Sequence, residues 1–156
     1  MKTKLRYWIM VAFAYSIVSS VFAQQKDIDA IKAVIAKETS SFMNVDFKTW
    51  EETWLKVPYA YWSYSDSSAT SYVEGWEALT KTFAEYFKTA KPSKASITNE
   101  WQEIRVYGNG AYARFIQRVK DDIDRDETSQ MRVLEKTKDG KWKVICVGAI
   151  AKYPKE

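Results

Sequence analysis

The run Pro58-Tyr59-Ala60-Tyr61-Trp62-Ser63-Tyr64-Ser65-Asp66 sets four large rings beside one carboxylate. Such a run suits a ligand pocket, an acid–base site or an ordinary core, because Tyr and Trp carry an apolar body and a polar tip together. The chain contains no histidine. That excludes Ser-His-Asp and Cys-His nucleophile systems, removes the usual zinc ligand, and leaves no side chain whose ordinary pKa lies near neutral. Proton transfer would fall to an Asp, Glu, Lys or Tyr with a displaced pKa. Cys146, the single cysteine, has no imidazole to activate it and reads as a small core hydrophobe. Neither a metal nor an organic cofactor is expected.

The elements that would position these residues follow a cleavable leader. Lys2, Lys4 and Arg6 form a basic start, and Trp8 to Val18 is an apolar run broken only by Ser16. Ser19-Ser20-Val21-Phe22-Ala23 then fits a signal-peptidase site, so residues 1–23 are expected to be a signal peptide and Gln24 the mature terminus. The run falls short of the ~20 apolar residues that span a bilayer. A periplasmic or secreted protein is expected, without membrane association after processing. Of 24 basic and 20 acidic residues, three basic ones leave with the leader, so 21 against 20 gives a net charge of +1. That near-neutral balance, with both signs interspersed, removes the electrostatic basis for nucleic-acid binding. Arg114, Arg118 and Lys120 share a strand face that reads as solvated.

Residues 24–156 are expected to form one domain, held by its core without a disulfide. Ile28, Ile31, Val34, Ile35 and Phe42 recur at helical spacing, and Asp46 precedes a second short helix carrying Phe47, Trp50 and Trp54 that Pro58 should end. The aromatic run has strand composition, and Ser65 to Ser71 reads as a loop or edge hairpin. Gly75 precedes a third helix, with Trp76, Leu79, Phe83, Tyr86 and Phe87 in period, stopped near Lys91-Pro92. Four strands follow at 97–107, 111–120, 130–138 and 141–151, separated by Gly108-Asn109-Gly110, the acidic 121–126 loop and Asp139-Gly140. Helices first and strands afterwards predict an α+β domain with one sheet face covered. Alternation places Ala111, Ala113, Phe115 and Val119 inward and Tyr112, Arg114, Arg118 and Lys120 outward. The same rule puts Trp142, Val144, Cys146 and Ile150 on one side of the last strand. Its other side, with Ile145, Val147 and Ala149, is also apolar and invites a partner subunit.

Asp46 opening a short helix, the aromatic strand, Gly75-Trp76-Glu77-Ala78-Leu79, Gly108-Asn109-Gly110-Ala111-Tyr112-Ala113 and Asp139-Gly140-Lys141-Trp142-Lys143-Val144-Ile145 occur in one order over residues 27–152. In that order and spacing they resemble the nuclear transport factor 2-like superfamily, and within it the SnoaL-like branch of small exported bacterial proteins. The resemblance implies a curved antiparallel sheet wrapped by three helices into a cone with a pocket at its open end, commonly as a homodimer. It also makes a ketosteroid isomerase-like or polyketide cyclase-like lyase or isomerase conceivable. Asp66 lies near the place of the isomerase base, and Glu38 falls where those enzymes carry a Tyr donor; the place of their second, acidic donor falls at Gln130-Met131-Arg132-Val133, which holds no acid. Glu38 could donate only if burial raised its pKa; otherwise a helical Glu is ordinarily exposed, paired here with Lys32 or Lys37. Asp66 beside Ser67-Ser68 equally suits a turn.

The reading that asks for nothing the sequence lacks is a noncatalytic domain binding a small, mostly apolar or aromatic molecule. Its expected lining is Glu38, Trp50, Trp54, Tyr61, Phe83, Trp101 and Tyr112, although rings at such spacings commonly fill a core completely. An association domain would instead show Trp62, Tyr64 and the last strand as an outer patch.

Overall fold

The computed structural model describes residues 2–121 and 125–151, without the side chains of residues 1–22 and Arg125. The expected signal peptide, 1–23, therefore lies almost wholly where side chains are outside the description. Its backbone runs into α1, Lys2–Met43. Among the described residues no helix is long and apolar enough to cross a membrane.

On α1 the expected period is realised by Ile31 and Ile35, both fully buried. The helix foot is fastened to the sheet by Asp27, which accepts hydrogen bonds from Lys136 Nζ at 2.6 Å and Trp142 Nε1 at 3.0 Å. Helix α2 spans Phe47–Thr53, and its N-cap Asp46 accepts from Thr49 N at 3.0 Å. It ends five residues before Pro58, at Trp54 in extended backbone, so proline is not its terminator. Instead Leu55 N is drawn to Val144 O at 2.9 Å, and a sheet hydrogen bond takes over from the helical ladder.

Strands β1 (Tyr61–Ser65) and β2 (Thr70–Glu74) form the edge hairpin. Helix α3, Trp76–Thr89, follows Gly75. At φ 87°, with a Cβ that would sit 3.3 Å from Pro58 O, that position requires glycine. Strands β3 (Ser96–Tyr107), β4 (Gly110–Lys120), β5 (Arg125–Lys136) and β6 (Trp142–Ala151) make the meander. The expected 121–126 loop is thus shorter, and its residues 122–124 lie outside the description.

The sheet order is β2-β1-β6-β5-β4-β3. Every pairing is antiparallel except β1 with β6, which is parallel. The sheet is curved and unclosed, and the three helices cover its concave face. Its core joins Ile31 and Ile35 of α1, Trp50, Leu79, and Ala113, Phe115, Leu134 and Val144 of the sheet.

On β4 the alternation holds: Ala111, Ala113, Phe115 and Gln117 are buried inward. On β6 it does not, because the register slips between Val133 and Leu134, which face Cys146 and Val144. Ile145 is the extra residue of a β-bulge, and one extra residue exchanges the faces beyond it. Trp142 and Val144 therefore point inward together with Val147 and Ala149, whereas Cys146 is half-buried and Ile150 exposed.

Candidate functional site

The concave face is not filled. A cavity of about 810 Å³ lies between the sheet and the helices. Its β6 wall is made of the small side chains Val147, Ala149 and Ala151, and Trp62 and Tyr64 of β1 line it as well. Trp50 of α2, Phe42 of α1 and Phe83 of α3 close the helical wall. These rings brace one another: Phe42 meets Phe83 edge-on at 5.3 Å, Trp62 meets Phe83 edge-on at 5.1 Å, and Trp50 lies 5.9 Å from Phe83. Edge-to-face packing of this kind fixes the wall in one shape.

The polar part of the lining comes from successive inward positions. On β5 these are Thr128, Gln130 and Arg132; β4 adds Gln117, and α1 adds Glu38 and Thr39. Arg132 is 4% exposed and Glu38 5% exposed, so both charges are largely buried. Arg132 Nη2 donates to Glu38 Oε2 at 3.3 Å, and Arg132 Nη1 donates to Gln130 Oε1 at 2.6 Å. Trp50 Nε1 and Thr39 Oγ1 also donate to Glu38, each at 3.4 Å. Gln130 Nε2 continues to Thr128 Oγ1 at 2.6 Å, and Gln117 Nε2 reaches Asn99 Oδ1 at 3.1 Å. The Arg132 guanidinium lies 5.6 Å from the Phe115 ring, and its Nε is buried without a partner among the described residues. Asp126, exposed, and Glu127, bound by Arg118 Nε at 2.9 Å, also line the cavity.

Three of the residues expected to line a pocket do so: Glu38, Trp50 and Phe83. The exposed position expected for Glu38 is corrected; it is buried, and its partner is Arg132 of β5 rather than a neighbouring lysine. The other expected lining residues lie elsewhere. Trp54 is core, 5.7 Å from Trp50. Trp101 packs inward on Phe115 at 4.8 Å, beyond the cavity. Tyr61 takes the outer face of β1 and stacks on Tyr72 at 6.3 Å. Tyr112 is also outward, its hydroxyl donating to Glu103. The rings of β1 do face both sides, and Trp62 and Tyr64, not Tyr61, are the inner pair; they do not form an outer patch.

Asp66 sits in the β1–β2 turn, away from the cavity lining. Its Oδ1 accepts from Ser68 N at 2.8 Å, Ser68 Oγ at 2.7 Å and Ala69 N at 3.1 Å. The Ser68 side chain, then the backbone amides of Ser68 and Ala69, hold its carboxyl below the usual range. A general base poised near neutrality needs a shift in the opposite direction. Of the two roles its sequence suited, candidate base or turn former, the observed hydrogen bonds are those of the turn. Cys146 is outward on β6, and desolvation pushes its thiol up, against nucleophilic use.

Lining residues that sequence reading passed over include Trp62, Tyr64, Gln117, Thr128, Gln130 and Arg132. One signal marked four of them: polar side chains at inward parity in strands whose other inward residues are apolar. Among the described residues no cluster of His, Cys, Asp and Glu suited to a metal is present.

No protein-family model matches the sequence, and no curated protein matches it. Solved structures do match. An NTF2-like protein of unknown function from Shewanella baltica aligns at TM-score 0.61 and 18% identity, over 83% of this chain and 96% of that one. A ketosteroid isomerase-like protein from Erwinia carotovora atroseptica gives 0.59 and 14%, over 81% and 96%. The CaMKII hub of S. rosetta gives 0.62 and 14%, over 80% and 95%. The fold is nuclear transport factor 2-like, as the resemblance implied. These identities carry the fold and nothing finer.

Proposed function

We propose that this chain is an exported, noncatalytic domain of the SnoaL-like kind that binds a small, mostly apolar or aromatic molecule in the cavity between its sheet and helices. The observation that carries this reading is the 810 Å³ cavity itself, walled by Trp50, Trp62 and Phe83 and hollow despite the ring-rich core around it. Its size falls within the range of small-molecule sites, and its make-up of apolar walls with a few convergent polar groups is theirs as well. The absence of turnover is supported by how the acids are used. Glu38 is charge-paired with Arg132, and Asp66 is engaged by its own turn.

Native mass spectrometry of the protein purified from its own cells or medium tests the reading. A retained small molecule, lost when Trp62 is replaced by Ala, is the expected result. A protein that arrives empty and binds no naphthalene-sized probe would overturn it. Amino-terminal sequencing of the same sample should begin at Gln24, and the ligand should be recovered chemically unchanged.

A second reading, self-association through the outer sheet face, is favoured by Met131 and Ile150, which are 46% and 55% exposed there beside half-buried Cys146. The same spectra report subunit count. A homodimer dissociated by Met131→Asp supports the outer face as its seat, and a monomer removes this reading.

A further inference from the structure

The cavity lining holds two opposite charges side by side. Arg132 and Glu38 sum to zero, and both are more than nine-tenths buried. Their hydrogen-bonding capacity is not used up. Glu38 accepts three contacts, all at 3.3 to 3.4 Å, so its carboxylate is loosely held. Arg132 commits Nη1 to Gln130 Oε1 at 2.6 Å and to Met131 O at 3.2 Å. Among the described residues it commits Nη2 to Glu38 alone. A guanidinium has five N–H donors, so a second Nη2 hydrogen remains for an acceptor arriving in the cavity.

We infer that the Glu38–Arg132 pair selects ligands whose buried end is uncharged and both donates and accepts a hydrogen bond, as a primary amide or an alcohol does. The inference rests on the binding reading above and adds the chemistry of the ligand's head. A head of this type gives a hydrogen to Glu38 and takes one from Arg132 while the pair stays neutral. A carboxylate head meets Glu38 and leaves one negative charge in excess beside apolar walls. An ammonium head meets Arg132 and leaves one positive charge in excess. Either surplus carries the desolvation cost of an unpaired buried ion. A bare hydrocarbon end leaves Glu38 and Arg132 with unused capacity and gains nothing from them.

The test is a matched set of probes on one aromatic body: 2-naphthylacetamide, 2-naphthylacetate, 2-(2-naphthyl)ethylammonium and 2-ethylnaphthalene. Affinities come from calorimetry at fixed pH and salt, and side-chain amide shifts of Gln117 and Gln130 establish that binding is in the cavity. The amide should bind about tenfold or more tighter than either charged probe and tighter than the hydrocarbon. A charged probe binding as tightly as the amide overturns the inference. The hydrocarbon matching the amide does so too, while leaving the cavity-binding reading in place. Failure of all four probes overturns both. Glu38→Gln leaves Arg132 in excess, so 2-naphthylacetate should gain about tenfold relative to the amide; an unchanged ranking counts against the pair as selector. Should that variant not fold, the ranking on the unsubstituted protein decides alone.

Discussion

Arg132 Nη2 lies 3.3 Å from Glu38 Oε2, joining β5 to α1 across 94 residues of sequence. Removing one partner strands the other as a buried unpaired charge, which costs about 3 to 5 kcal/mol. Removing both leaves an apolar contact that is often neutral or better. Glu38→Leu and Arg132→Met should each lower the urea midpoint strongly, and the double variant should recover most of the loss. Additive losses in the double-mutant cycle would show that the two side chains act independently.

Asp66 holds the β1–β2 turn through hydrogen bonds to Ser68 and Ala69. Asp66→Asn should raise amide exchange in Tyr61–Ser65 and Thr70–Glu74 and leave the affinity of any cavity probe unchanged. A loss of binding or of turnover with intact hairpin protection would return Asp66 to the site.

Acid should destabilise the protein below about pH 4. Asp139 is lowered to about 2, first by the Lys141 ammonium and then by the Thr137 hydroxyl. Asp27 is lowered chiefly by its hydrogen bond from Lys136, and Asp46 by Thr49. For a carboxyl depressed on folding, the stabilisation is present above its unfolded pKa and is lost as pH falls through the folded one. Urea midpoints should therefore hold from pH 7 down to about 4 and then fall toward pH 2. Asp139→Asn should flatten that fall; an unaltered profile would mean that its pairing is not felt in stability.

Val45 occupies the left-handed region at φ 58°, where a β-branched residue is strained. It stands just past α1, with Asp46 N bonded to Ser41 O at 2.9 Å and Val45 N to Phe42 O at 3.0 Å. This is the paired-bond helix stop at which glycine is the usual occupant. Val45→Gly removes the strain and adds some backbone entropy to the unfolded chain, for a net gain of about 0.5 to 1 kcal/mol. Thermal unfolding should shift upward by a few degrees, and a downward shift would mean that the half-buried Val45 side chain contributes more by packing.

The fold was largely legible because its signals are local. Asp46 caps a helix wherever it stands before one, Gly75 suits a positive φ that a Cβ resists, and Asp139-Gly140 turns a hairpin. Ile31 and Ile35 announce the buried face of α1 by spacing alone. The end of α2 was less legible, since Pro58 is a visible stop and the Leu55 bond to Val144 is not.

The cavity was only half legible, and the failures share a cause. Tyr61 and Trp62 are adjacent rings of similar composition; which one faces inward is decided by the register of β1 against β6. Cys146 and Ile150 changed faces because Ile145 bulges, and nothing in the local sequence marks that residue as the extra one.

By itself the sequence determined which chemistry was excluded, through the missing histidine, and which elements form, through capping, periodicity and turn residues that act within a few positions. Only the tertiary structure decided that the cone is hollow, that Glu38 meets Arg132, and that Asp66 is spent on a turn. Those outcomes depend on strand register and on how far a helix stands from a sheet. Such distances are set by the packing of side chains remote in sequence, such as Trp50, Phe83 and Trp62, which no local pattern contains.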